Sequence, residues 1–471
     1  MAFSQEEINR IAQQITVQLQ CGSVGRGLAP AGSGQWLCGE ANEAVANAKA
    51  AQHALMDLSL QKRGELIDAM RCAARANAEK LAIMANEETG YGHVSHKIQK
   101  NLLAANHTPG IEDLQPQAFT GDNGLTLVEQ APFGVIGSIT PSTNPTATVI
   151  NNSISMIAAG NAVVYNPHPA AKKCSQEAMR ILHDAIVAAG GPACLITTVR
   201  EPSLKSGDDI MNHPDIPLLA ITGGEAVVAA ALKTTKKVIA AGPGNPPCIV
   251  DETAILADAA KHIVDGCGFD NNVLCVAEKE VFAVDSIFDE LMRLMEVNGA
   301  FRVYGADIDK VLKTTLTEKN GTYVIKRDYV GRNASVILRD AGVAFTGEPR
   351  IIIAEVPIGH PFIETEMLMP VLGCARVRDV DQAIEEAFKA EHGYLHSAQM
   401  HSTNVKHMSK AVRRLNTTIF VKNAPSYAGL GFGGEGYPTL TIATPTGEGL
   451  TSARSFTRYR RCVLAGDFRI I

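Results

Sequence analysis

The sequence predicts an α/β protein made of two doubly wound units, and three observations carry that expectation. Strand-like and helix-like stretches alternate from Glu129 to Ala240, the pattern of a mainly parallel sheet covered by helices. The alternation restarts after Pro247. The chain is also 471 residues long, more than one ordinary hydrophobic core encloses.

In chain order, Ser4 and Glu7 form a capping-box pattern, and Ile8, Ile11, Ala12, Ile15 and Leu19 recur at helical spacing. A Gly-, Ala- and Ser-rich stretch from Cys21 to Gly34 reads as a flexible linker. A short amphipathic helix on such a tether either folds back on its own domain, frays, or finds a partner surface. Residues 40–110 are rich in Ala, Leu, Glu and Lys and read as consecutive helices. A strand region Glu129–Thr140 follows, then a helix over Asn144–Gly160. The next elements are a strand Ala162–Tyr165, a helix Ser175–Ala189 and a strand Leu218–Ile221. A helix Glu225–Lys233 and a strand Lys237–Ala240 close the first unit. The second opens with Cys248–Val250, a helix Leu256–Cys267 and a strand Lys279–Val284.

Composition narrows the functional classes. Hydrophobic residues make up 46% and charged residues 20%, as in ordinary globular proteins. A net charge of -6 argues against nucleic acid as the main partner. No apolar run approaches the roughly 20 residues that span a bilayer, so no membrane partner is expected. Ten cysteines lie scattered without metal-finger spacing, which suits reduced thiols in a cytoplasm. His392, His396 and His401 do not reproduce a zinc-binding helix pattern, and no metal site is expected.

The chemistry centres on Phe269-Asp270-Asn271-Asn272-Val273-Leu274-Cys275-Val276-Ala277-Glu278. Cys275 sits on a turn ahead of a strand, where its sulfur can attack an aldehyde carbonyl. The oxyanion formed by that attack needs preorganised donors. Asn144, in Thr140-Pro141-Ser142-Thr143-Asn144-Pro145, is the side-chain candidate, and the backbone N–H of Cys275 is the second. Upstream, Thr222-Gly223-Gly224 ends a strand and opens a helix, so backbone N–H groups and the helix dipole can face a phosphate.

Together these segments resemble the aldehyde dehydrogenase superfamily. The resemblance assigns Glu366 to the nicotinamide ribose and adds Thr140, Pro141, Asn166, Thr222, Gly223, Gly224 and Gly242 as cofactor contacts. Asn166 replaces the lysine that usually grips the adenosine ribose, so NAD against NADP stays open. One departure narrows the match further. Hydrolytic members carry Glu-Leu-Gly-Gly-Lys where this chain reads Ala241-Gly242-Pro243-Gly244-Asn245, and the glutamate that activates water is replaced by Ala241. Without that base, worth typically 10²–10⁴-fold, water is a poor acceptor, whereas a thiol is partly ionised already.

The chain is therefore similar to the CoA-acylating acetaldehyde and propionaldehyde dehydrogenases of bacterial microcompartments. That resemblance implies oxidation of acetaldehyde or propionaldehyde to acyl-CoA through a Cys275 thioester, with NAD as cofactor and CoA as cosubstrate. It also implies that residues 4–20 bind a microcompartment shell protein and that a β arm joins a homodimer or homotetramer. The expected division is a targeting helix 1–20, a linker 21–35 and a cofactor-binding domain 36–246 interrupted by arm segment 118–134. A catalytic domain 247–435 and a C-terminal segment 436–471 with further arm strands complete it. A hydrolytic dehydrogenase, a phosphorylating one, and an inactive shell-associated scaffold are the competing readings.

Overall fold

The computed structural model describes residues 34–471. The expected targeting helix 1–20 and nearly all of the linker 21–35 lie outside the described residues. The chain divides into two units. The first contains residues up to Glu88, Ile98–Ala241 and Tyr437–Ile471; the second contains Thr89–Lys97 and Gly242–Gly436. Two pieces thus group differently from the division expected from sequence: residues 89–97 and residues 242–246, expected in the cofactor-binding domain, both fall in the second unit. The C-terminal segment groups with the first.

The first unit is a six-stranded parallel sheet. Its spatial order is Leu37–Cys38, Ile196–Val199, Ala162–Pro167, Val135–Thr140, Leu218–Thr222 and Lys237–Ala241. From Val135–Thr140 the chain builds outward in one direction through Ala162–Pro167, then crosses to the other side with Leu218–Thr222. The order reverses there, and open α/β sheets bind ligands outside the carboxyl ends of their strands at such a reversal. Helix Pro145–Ala158 is buried along its whole length, which its apolar run permits and to which Thr146, Thr148, Asn151 and Ser153 are fitted by internal hydrogen bonds.

The strand region expected over Glu129–Thr140 is two elements. Gly134 has φ +119°, open only to glycine without strain, and there the chain leaves one sheet for another. Before it, Gly124–Pro132 pairs antiparallel with Gln117–Gly121 and with Thr457–Ala465. These three strands form a sheet of their own, separate from the six-stranded one. Residues 458–465 are all exposed.

The second unit is a seven-stranded parallel sheet. Its spatial order is Ala300–Val303, Ile351–Glu355, Val371–Val377, Glu280–Val284, Pro247–Val250, Ser397–His401 and Ile419–Lys422. Strand Glu280–Val284 lies near its centre, in register with Pro247–Val250 on one side and Gly373–Val377 on the other. The loops entering these strands therefore gather at one end of the sheet. They carry Gly242–Pro246, Cys275 and Glu366.

Candidate active site

Helix Leu256–Gly268 runs into a turn, Phe269–Asn272, in which Asp270, Asn271 and Asn272 have φ of 49°, 54° and 65°. Three successive left-handed residues are tolerable here because Asp and Asn accept that region better than other side-chain-bearing residues. Each is also held by its side chain. The Asp270 carboxylate accepts from the His93 backbone N–H at 2.7 Å and from Lys97 Nζ at 3.0 Å. Its backbone N–H donates to His96 Nδ1 at 2.9 Å. Asn271 Nδ2 donates to Gly331 O at 2.9 Å and to Asn333 Oδ1 at 2.7 Å. Asn272 Nδ2 donates to Glu278 O at 2.9 Å and Cys267 O at 3.1 Å. Gly92 makes room for this clamp: a Cβ there would lie 1.8 Å from Asp270 Oδ1.

From Val273 to Val284 every residue is buried except Cys275, which is partly exposed. The turn thus presents one thiol from an otherwise closed stretch. Glu366, on the loop before Val371–Val377, is pushed up to about 6 by burial, while Lys279 and the Gly244 N–H pull the other way. A carboxyl in that condition remains a competent hydrogen-bond acceptor for a hydroxyl.

Three charged residues after Cys275 escaped the sequence analysis. Glu278, Lys279 and Glu280 are all fully buried, and the strand expected to start at Lys279 starts at Glu280. Glu278 accepts from Ser426 N–H at 2.9 Å and Ser426 Oγ at 2.7 Å, and burial pushes it up to about 7. Burial drives Glu280 well above the carboxylate range; its oxygens have no hydrogen-bond partner among the described residues, so it is held neutral. Lys279 donates to the carbonyls that flank Cys275, as detailed below. The signal available in sequence was a run of three charges at the mouth of an apolar strand.

In the first unit, Asn144 precedes helix Pro145–Ala158 and is 8% exposed. Its Oδ1 accepts from Lys100 Nζ at 2.5 Å. An ammonium only donates, so this contact fixes the amide with Nδ2 as the outward donor. Among the described residues, Nδ2 itself has a long 3.4 Å contact with Thr143 Oγ1. The sequence carried no signal for Lys100.

The structure gathers the remaining first-unit candidates at the strand reversal. Ile139 is in register with both Asn166 and Ile221, Thr140 with Pro167, and Thr222 with Ala241. Thr140, Pro141, Asn166, Thr222, Gly223 and Gly224 therefore share the carboxyl end of this sheet. Gly224 precedes helix Glu225–Leu232, and a Cβ on it would meet nothing within 4 Å. That open helix start fits a dinucleotide phosphate. Asn166 is less available: its Oδ1 accepts from Ser206 Oγ at 2.6 Å and its Nδ2 donates to Ser203 O at 3.3 Å. Ala241 is buried at a strand end, and Gly242 follows it as the first residue of the second unit.

Among the described residues, Asp251, Glu252 and His407 could bring three metal-ligating atoms together. The Asp251 carboxylate is already occupied by Thr253, Ser402 and His407. His396 and His401 are buried and pushed down to about 4 and about 3, mainly by desolvation. No described helix is long and apolar enough to cross a membrane.

A parallel two-unit α/β chain with a cysteine on a clamped turn defines a class, and comparison with known proteins agrees. The sequence pattern of the aldehyde dehydrogenase family matches residues 38–438, and the chain belongs to that family. Within it, the chain is 51% identical over 433 residues to the acetylating acetaldehyde dehydrogenase EutE of Salmonella typhimurium, covering 91% of this chain and 92% of that one. The crystal structure of Rhodopseudomonas palustris propionaldehyde dehydrogenase with bound CoA and an acylated cysteine superposes with TM-score 0.89 at 47% identity, covering 92% and 98% of the two chains. The propionaldehyde dehydrogenase of the Clostridium phytofermentans fucose utilisation microcompartment superposes with TM-score 0.90 at 47% identity, covering 93% and 100%.

Proposed function

We propose that this chain is a CoA-acylating aldehyde dehydrogenase that oxidises acetaldehyde or propionaldehyde through a thioester on Cys275. The observation that carries the reading is the partly exposed Cys275 on a turn whose three preceding residues are each pinned. The thiolate adds to the aldehyde carbon, forming a C–S bond and an alkoxide. Asn144 Nδ2, oriented by Lys100, and the Cys275 N–H are the donors for that oxygen. NAD, when bound, supplies the hydride acceptor, and the two electrons leaving with hydride convert the adduct to a thioester. Thr222, Gly223 and Gly224 supply the open helix start for its phosphates, and Glu366 is the acceptor for the nicotinamide ribose. A CoA thiolate then attacks the thioester carbonyl, and the bond to Cys275 breaks with release of acyl-CoA and the free enzyme. Ala241 cannot activate water, which directs the acyl group to the thiol.

The names of the relatives support this reaction and a microcompartment setting. Residues 4–20 are proposed as the shell-binding helix, and the exposed strand Thr457–Ala465 as part of a subunit contact in a homodimer or homotetramer. The test is NADH formation from propionaldehyde with and without CoA, with products identified by mass spectrometry. CoA-dependent propionyl-CoA is expected. Steady release of propionate without CoA would overturn the acylating reading, and absence of any turnover would favour a scaffold.

A further inference from the structure

Lys279 is a full-length cation with no exposed surface, four residues beyond the nucleophile. Its Nζ faces Asn272 O at 2.9 Å, Asn272 Oδ1 at 2.5 Å and Leu274 O at 3.4 Å. All three neighbours are acceptors. An ammonium has an N–H for each of them, whereas a neutral amine has two and would turn its lone pair towards the third oxygen, so the contact set favours the ammonium form. Asn272 Nδ2 in turn donates to Glu278 O, and the Lys279 N–H donates to Pro246 O at 3.1 Å. Asn272 and Lys279 thus clasp each other across the loop that carries Cys275, and Leu274 O is the carbonyl immediately before it.

The geometry points to Lys279 as the positioning residue of Cys275: its buried ammonium closes the nucleophile loop and supplies the positive charge that favours the thiolate. This rests on Cys275 being the nucleophile. Burial disfavours the ammonium, and the acidic groups around it pull the other way, Glu366 foremost and then Cys267, Cys275 and Glu280. These groups face Lys279 from the loop before Val371, helix Leu256–Gly268, its own loop and strand Glu280–Val284. His396, entering Ser397–His401, also feels the ammonium and is driven neutral by burial. Glu278 spends its carboxylate on Ser426. Among the described residues no carboxylate oxygen pairs directly with Nζ, and the lysine and the Cys275 thiol act on one another electrostatically. A cation at short range lowers a thiol's pKa, whereas the apolar burial of this stretch alone would raise it.

The experiment is the pH dependence of Cys275 alkylation by iodoacetamide, with the modified peptide identified by mass spectrometry. It is run on the full-length wild type, Lys279→Met and Lys279→Gln. Met removes the charge and all three donors, whereas Gln keeps two N–H donors without the charge. Both variants are expected to raise the alkylation midpoint by at least about one pH unit, a tenfold loss of thiolate at neutral pH. The fall in kcat should be deeper in Met than in Gln. Folded variants with wild-type midpoints would overturn the proposal even if kcat falls, because a merely structural lysine would not move the thiol. If the neutral variants do not fold, Lys279→Arg decides: a midpoint near wild type supports the charge, and one raised by a full unit overturns it. Wild-type turnover that survives complete alkylation of Cys275 would remove Cys275 as nucleophile, an outcome separate from any midpoint.

Discussion

Replacing Lys97 by Met should loosen the Cys275 turn without touching the turn itself. Lys97 and Asp270 pair at 3.0 Å with side chains 4% and 0% exposed. Removing one partner of so deeply buried a pair typically costs about 3–5 kcal/mol, because the remaining charge loses its counter-ion. Asp270 would keep the His93 N–H at 2.7 Å, which places the expected cost near the lower end, about 3 kcal/mol. The readout should be local, since a chain of two units has no single unfolding free energy. Hydrogen exchange of peptides covering 268–280 reports the opening of that segment, and about 3 kcal/mol corresponds to roughly a hundredfold faster exchange. Pairing Lys97→Met with Asp270→Asn neutralises both partners, so the double variant should exchange more slowly than the product of the two single effects predicts. Exchange within about threefold of wild type in Lys97→Met would refute the reasoning, since an ion pair worth so little could not be holding the turn.

Other outcomes follow from the same geometry. Cys275→Ser should abolish both NADH and acyl-CoA formation while leaving the circular dichroism spectrum unchanged. Asn144→Ala should lower kcat by about 10²–10³ with little change in the CoA dependence, as the loss of one oxyanion donor requires. Burial raises Glu278 in the folded chain from its ordinary 4.5 to about 7, so the stability it contributes is full below the lower value and is lost as pH rises through the upper. Glu278→Gln should therefore flatten a falling limb in the urea midpoint between those two values. His401 works in the opposite sense: its folded value of about 3 lies below the ordinary 6.5, so stability is lost as pH falls from 6.5 towards 3. His401→Asn should reduce the acid limb of the same profile.

The parts of this site that were legible in the sequence are those whose residue type is itself the chemistry. Cys275 was legible because a thiol after two asparagines stands ahead of a strand, and Ala241 because it stands where the family resemblance leads one to expect a base. The double sheet was legible because strand and helix alternate twice. Lys100, Lys97 and Lys279 were not, for a common physical reason. Charged residues are read as exposed, and each of these is buried because a specific acceptor meets it: Asn144 Oδ1, the Asp270 carboxylate, and the Asn272 and Leu274 carbonyls. Acceptors 44 and 173 residues away leave no local pattern. The packing of residues 89–97 with the second unit was hidden for the same reason, since it rests on contacts to Asp270 and Gly331 far along the chain.

The turn before Cys275 also explains why its sequence is Asp-Asn-Asn. Three consecutive residues at positive φ could be supplied by glycines, but glycine carries no side chain to fasten and would leave the turn with the largest conformational entropy to lose. Asp and Asn accept the left-handed region at modest strain and bring a polar group that can be pinned. Here each of the three groups reaches a different anchor: Lys97 and His93 for Asp270, Gly331 and Asn333 for Asn271, Cys267 and Glu278 for Asn272. The strain stored in the backbone is thus offset by bonds that converge from three directions, and a nucleophile that must approach a carbonyl within a fraction of an ångström gains the rigidity. A glycine-rich turn would reach the same φ values and hold the sulfur less firmly, so the residue types follow from the need for both the conformation and the anchors.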